Sequence, residues 1–269
     1  MPVWGEYAGK PLDEALESLR AQDLPARIIV VDNASDPALD GLGEAQVIRS
    51  HTRLTVGAAR NLGLQHVKTP YVVFWDADDL MLPGTLRFLH TRISAEPDAV
   101  LVAASIVEGD PPVPHRWPRP WTYPFTRFRG PFAFAHTIWS LFPATGSAVM
   151  RTDAARAMGF GDANSGEDWV LGVSLVFRGR VILEARPGRL YRRHATSLWE
   201  TQRSAAQLAK HARAVRARIR RDPEAPAWAR ILLPLIALAQ VFAVRCVRPV
   251  VGTTRATRPM QSSTSKRAV

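Results

Sequence analysis

Three carboxylates, Asp76, Asp78 and Asp79, fall within four positions, directly after the apolar run from Tyr71 to Trp75. Like charges this close raise one another's pKa, so a fold that gathers them has something cationic to set between them. Carboxylate oxygens are hard ligands suited to Mg²⁺ or Mn²⁺, and magnesium takes one or two carboxylates plus substrate phosphates rather than a full protein cage. Asp76 and Asp78, two apart at a strand end, can face one side of a crevice. The plainer alternative is a solvated acidic turn in which Asp79 caps the helix that follows. Two further acidic positions stand at the ends of apolar segments: Asp32 after "RIIVV", and the pair Glu167–Asp168 at the head of "GEDWVLGVSLVF". A carboxylate at a helix N-terminus is favoured in its ionised form by the dipole, so Asp168 reads as a base of modest strength.

Hydrophobic period and turn residues say what must position these groups. "PLDEALESLRAQ" has Leu12, Ala15, Leu16 and Leu19 on one helical stripe, and "RIIVVD" is a buried strand. "QVIR" predicts a short strand and "GAARNLGLQHV" a helix; "YVVFW" is a third strand, followed by the helix "PGTLRFLHTRI" and the strand "DAVLVAAS". Strands alternating with helices predict an α/β fold, a mostly parallel sheet with helices on both faces. Ligands in such sheets bind beyond the carboxyl ends of the strands, where Asp32 and Asp76–Asp79 fall. The stretch from Asp110 to Pro143 is dense in Pro, Trp, Phe and Arg with little period, and reads as a long functional loop or lid; Trp117–Trp139 is the candidate acceptor contact.

Five segments in order, "VVDNAS", "GAARNLGL", "YVVFWDADD", "GSAVMRTDAARAMGF" and "GEDW", resemble the family 2 glycosyltransferases of GT-A fold over residues 2–200. The resemblance implies an inverting transferase that uses a nucleotide-diphosphate sugar and a divalent metal, Mn²⁺ or Mg²⁺. Carried over by position, Asp32 contacts the nucleotide base, Pro2, Val3 and Glu6 border the nucleotide, and Arg60 and Asn61 lie near the nucleotide-sugar. Asp76, Ala77 and Asp78 form the metal and diphosphate motif, Asp168 is the general base with Glu167 beside it, and His194 in "YRRHATSLW" is a further metal or diphosphate candidate. One departure stands out: Met1 directly precedes Pro2, so the first strand of the nucleotide-binding sheet is expected to be missing and the natural start to lie upstream.

The charge is unevenly placed. Residues 1–200 hold 21 Lys/Arg against 22 Asp/Glu, and residues 201–269 hold 14 against 2, which together give the net +11. A block this basic points to an anionic partner. Residues 201–252 combine the basic amphipathic helix "AAQLAKHARAVRARIRR" with an uncharged run from Ile231 to Val244, short of the roughly 20 residues that span a bilayer. That region is expected to lie on an anionic membrane surface or to pack on the catalytic core, and residues 253–269 to form a disordered basic tail. Nucleic acid is the less suited partner, because no recognition motif accompanies the charge. The opening "MPVWGEYAGK" lacks the features of a signal peptide, and the lone Cys246 allows no internal disulfide, so the expected place of work is the cytoplasmic face of the cell membrane, with a saccharide or lipid-linked acceptor. Two other classes share features of this sequence. A sugar nucleotidyltransferase would use a similar sheet but normally a Gly-rich basic loop near the N-terminus, which is not evident; a non-enzymatic membrane or nucleic-acid-binding protein would need only the tail.

Overall fold

The computed structural model describes residues 1–109, 111–115, 118–192 and 204–251, with backbone alone for 247–251. The alternation read from the sequence forms, and it divides between two sheets. In the first, β1 (Pro2–Val3), β2 (Ile29–Asn33) and β3 (Gln46–Ser50) are parallel, with Val3 beside Asp32 and Asp32 beside Arg49. A short first strand therefore stands where the sequence reading expects none: the Met1 carbonyl accepts from Val31 N–H at 2.8 Å and the Met1 amino group donates to the Ile29 carbonyl at 2.9 Å. Helix α1 (Lys10–Arg20), begun by Pro11 in its first turn, buries Leu12, Ala15 and Leu16 against Val3, Val30 and Ala77.

The second sheet is mixed. Its order runs β4 (Tyr71–Val73), β8 (Ala148–Arg151), β6 (Ala99–Glu108), β9 (Arg180–Tyr191), β5 (Leu80–Met81), with β7 (Val113–Pro114) on the far end of β6. Only β6 and β9 are parallel. Their register shifts twice around Ser105, where Pro187 cannot donate to the ladder, and the strand bends. Gly188 lies at that bend; a Cβ there would meet the Ala104 Cβ at 2.6 Å. Beyond the bend β9 reaches β5 antiparallel and sets Arg189 opposite Met81, immediately after the acidic cluster.

Helices α2 (Val56–Gln65), α3 (Thr85–Ser94), α4 (Thr122–Phe125), α5 (Arg129–Ile138), α6 (Thr152–Met158) and α7 (Glu167–Arg178) cover the sheets. The expected lid is in part this ordered structure. Helix α5 carries Phe132, Ala133, His136 and Thr137 on one buried face, and its Pro131 sits in the first turn where no helix hydrogen bond is lost. Trp117 lies outside the described residues.

Beyond them come α8 (Ala205–Arg221), α9 (Ala227–Ile231) and α10 (Leu233–Val251). Ala212, Val215 and Ile219 of α8 share a buried cluster with Trp169, Val170 and Val173 of α7, and the Arg178 guanidinium grips Asp222 with two 2.7 Å hydrogen bonds. One face of the basic helix is thus spent on the catalytic half.

His136 is fully buried, stacked on Phe142 with ring centroids 4.3 Å apart, and its Nδ1 accepts from Leu141 N–H at 3.1 Å. Burial lowers its pKa from 6.5 to about 3. The unfolded chain therefore takes up this proton first, and the stability it contributes is complete above pH ~6.5 and is lost as pH falls towards 3, by about 1.4 kcal/mol per unit. His136→Asn is expected to flatten the loss of urea resistance between pH 6 and pH 4 by about that slope; an unchanged slope would assign the acid sensitivity elsewhere.

Candidate active site

The site is an alternating chain of buried charge. The Arg60 guanidinium, on α2, donates to Asp76 Oδ1 at 2.6 Å and to Glu167. Arg189, on β9, donates to Asp76 Oδ2 at 2.9 Å and to Asp79. Asp79 also accepts from Arg192 N–H at 2.9 Å, and the Arg192 side chain reaches the Asp78 carbonyl and Glu14. The order Glu167, Arg60, Asp76, Arg189, Asp79 ties together α7, α2, the end of β4 and β9.

Glycine makes the approaches possible. Gly146 has φ +80°, and a Cβ there would sit 1.6 Å from an Arg189 nitrogen. Gly57 donates to the Ala163 carbonyl at 3.0 Å, and a Cβ on it would overlap the Gly161 carbonyl oxygen at 1.8 Å. The loop from Gly159 to Gly166 is strapped down around that contact. Thr55 Oγ1 donates to Asp162 at 2.5 Å, Asn164 Oδ1 accepts from Val56 N–H at 3.1 Å, and the Asn61 amide grips the Phe160 backbone with bonds of 2.8 and 3.2 Å. From the other side His211 of α8 meets Ser165 Oγ at 2.8 Å, and Arg218 donates to the Gly159 carbonyl at 2.9 Å. The loop delivers Glu167 and Asp168 at the start of α7.

Burial decides the charge states. Desolvation alone would raise the Asp76 pKa, but Arg60 and Arg189 hold it below the usual carboxylate range. Asp78 lacks that compensation: desolvation and the Asp79 and Asp76 charges push it up to about 7. Glu167 also rises to about 7, because burial outweighs its pairing with Arg60. Asp168, whose Oδ1 accepts from Trp169 N–H at 2.7 Å, is raised by burial as well, so it is a stronger base than the helix dipole alone predicts. Five carboxylates, Asp76, Asp78, Asp79, Glu167 and Asp168, gather about two fully buried guanidiniums, Arg60 and Arg189. The surplus is negative and centred on Asp78, which fits a divalent cation. Among the described residues no three His, Cys, Asp or Glu side chains converge as a metal cage, in keeping with an ion that completes its shell from phosphate oxygens.

The remaining candidates fall around this chain. Asp32 is buried; burial would raise its pKa, but hydrogen bonds from Ser35 N–H at 3.0 Å and Leu39 N–H at 3.2 Å, together with Arg49, hold it down. It shapes the loop that walls a cleft of about 280 Å³ between Gly5, Ala8 and Gly9 on one side and Pro37, Leu39 and Gly41 on the other. Pro2 and Val3 are buried in β1, Ala77 is buried in the core of the first sheet, and Glu6 is exposed and paired with Arg53 at 3.1 Å. His194 lies outside the described residues. Sequence reasoning missed Arg189, Arg192 and Glu14, and it read Asp79 as a helix cap; Asp79 is instead a buried partner of Arg189, and α3 begins at Gly84 without a side-chain cap.

A parallel nucleotide-binding-type sheet, a mixed second sheet and an acidic cluster where they meet define a GT-A glycosyltransferase. The sequence matches glycosyl transferase family 2 over residues 1–159 of 269, and the chain belongs to that family. Among solved structures, S. aureus TarS 1–349 in complex with UDP-GlcNAc superposes with a TM-score of 0.65 at 17% identity, covering 90% of this chain and 71% of that one. The mannosyltransferase PcManGT from Pyrobaculum calidifontis, in complex with GDP-Man and Mn²⁺, superposes with a TM-score of 0.57 at 20% identity, covering 95% and 74%. At these identities the likeness is one of fold. No curated protein sequence matches the chain significantly.

Removing or displacing the central guanidinium tests the charge chain. Arg189→Met and Gly146→Ala are each expected to cost about 3–5 kcal/mol by urea denaturation, the cost of leaving buried carboxylates unpaired. A loss within about 0.5 kcal/mol of zero would show that Asp76 and Asp79 do not depend on Arg189.

Proposed function

We propose that this enzyme moves a sugar, with inversion, from a nucleoside-diphosphate sugar to a hydroxyl of a saccharide or lipid-linked acceptor, in the synthesis of envelope polysaccharide or glycolipid at the inner face of the cell membrane. The observation that carries the catalytic part is the surplus of negative charge at Asp78, beside an Asp76 already neutralised by two arginines. Asp78, with Asp76 behind it, would hold Mn²⁺ or Mg²⁺, with His194 a further candidate ligand. Bound there, the ion supplies Lewis-acid neutralisation of the departing diphosphate. The complexes of TarS with UDP-GlcNAc and of PcManGT with GDP-Man and Mn²⁺ support that donor class and metal.

The residues of this chain do the rest. Asp168 takes the acceptor hydroxyl proton as the new C–O bond forms, while the bond from the anomeric carbon to the diphosphate oxygen breaks and its electron pair leaves with the nucleotide. Its burial favours proton uptake, and Glu167, fixed through Arg60, keeps the start of α7 in register with the Asp76 motif. Pro2, Val3, Glu6 and the Asp32 loop border the nucleoside, with Asp32 acting by shaping the loop. Asn61 serves the donor indirectly, by holding Phe160 and the loop that follows it.

Calorimetric titration with a panel of nucleoside diphosphates, with and without Mn²⁺, tests this. One nucleotide is expected to bind in a metal-dependent way, and Asp78→Asn is expected to abolish that dependence. Asp168→Asn is expected to keep nucleotide binding and lose roughly 10²–10⁴-fold in turnover. Metal-independent binding by the wild type, or turnover surviving in Asp168→Asn, would overturn the corresponding assignment.

A further inference from the structure

Among the described residues, the large apolar side chains left exposed are concentrated along α9 and α10. Ile231, Leu235, Leu238, Val241 and Phe242 are exposed, from 48% at Val241 to 73% at Ile231. Spacings of four, three and four from Ile231 to Phe242 place them on one stripe, with Pro234 and Cys246 also exposed along it. The opposite face is already used: Ile236 and Gln240 are buried, and the Gln240 amide donates to the Thr137 carbonyl at 2.8 Å and accepts from Arg216. Folding therefore fixes this helix by one side and leaves an apolar side outward.

The surroundings of the stripe carry one sign of charge. Residues 225–269 contain seven Lys/Arg and no Asp/Glu. On α8, Arg213, Arg216 and Arg220 form a ridge at spacings of three and four, and Arg216 touches α10 at Gln240, so the ridge runs beside the stripe. Arg245 is exposed on α10 itself.

We propose that the outer face of α9 and α10 lies in the headgroup layer of an anionic lipid bilayer, with the helix along the surface and the arginine ridge on lipid phosphates. No helix among the described residues is long and apolar enough to cross a membrane, whereas a stripe of this kind with cationic flanks is what an interfacial helix presents. A second copy of this chain fits less well. A stable protein interface takes roughly 20–30 residues a side, and two such basic faces repel.

The proposal deepens the membrane part of the reading above and is independent of the carboxylate assignments. Its test is cosedimentation of the full chain with phosphatidylcholine vesicles, with and without phosphatidylglycerol. The wild type is expected to bind phosphatidylglycerol vesicles, and to bind roughly tenfold or more weakly to phosphatidylcholine alone or at high salt. Leu238→Glu and Phe242→Glu are each expected to weaken binding to anionic vesicles roughly tenfold or more, at unchanged melting temperature and unchanged nucleotide binding. Equal binding by wild type and variants would overturn the proposal. So would a wild-type dimer in sedimentation velocity that the same substitutions dissociate, since that would give the face to a second copy. Nucleotide binding without vesicle binding would sink this inference alone, and the reverse would sink the catalytic reading alone.

Discussion

The geometry of the site depends on two guanidiniums that share one carboxylate. Asp76 accepts from Arg60 on one oxygen and Arg189 on the other, so the strand that ends at Trp75 is joined to α7 through Arg60 and to β9 through Arg189. Each bond crosses a boundary between elements that share no backbone ladder. An isolated buried ion costs several kcal/mol, and an ion pair offsets that only in good geometry, so the alternation of sign along this chain is strict. The five carboxylates tolerate burial because two arginines interleave with them, and the balance remains negative where Asp78 stands. The substrate diphosphate is itself anionic, so an acidic site can receive it only with a cation between, which gives the surplus at Asp78 its chemical sense.

The same constraint explains where glycine and short side chains are required. Arg189 can reach Asp76 and Asp79 only by passing over Gly146, and Glu167 can face Arg60 only if the preceding loop lies flat on Gly57. Thr55, Asn61 and Asn164 then supply the hydrogen bonds that hold the loop there. None of these side chains needs to touch substrate for the site to fail without them, since displacement of a proton acceptor by an ångström is enough to lose orders of magnitude in rate.

Much of the fold was legible because it follows local rules. Buried strands read as apolar runs, α1 as a stripe with a proline at its start, and the acidic strand ends as a ligand-facing edge. The partners of those acids were not legible. Arg189 is one of many arginines, and what selects it is the pairing of β5 with β9, which brings it to an aspartate 110 positions away. Asp79 looked like a cap because a helix follows it, yet β5 intervenes and turns its side chain inward. Helix α5 was hidden by its own composition: aromatic residues and Pro131 suggested a loop, although Phe132, Ala133, His136 and Thr137 already carried the one-sided spacing of a helix. The first strand escaped notice because two residues are too few to show a period.

The C-terminal helices join the two halves of the functional reading. Helix α8 is not an appendage, because His211 packs over Gly166 so closely that a Cβ there would lie 2.5 Å from its ring, and Arg218 holds the Gly159 carbonyl at the other end of the loop. The residues that carry the basic ridge are thus on the same helix that braces the loop leading to Asp168. Whatever surface the ridge and the apolar stripe rest on is held at a fixed distance and angle from the base, with Arg178 and Asp222 locking the two helices together. For an acceptor that is itself anchored in that surface, a rigid connection of this kind presents the reacting hydroxyl to Asp168 at one height, and so replaces part of the orientation that a soluble acceptor must obtain from binding alone.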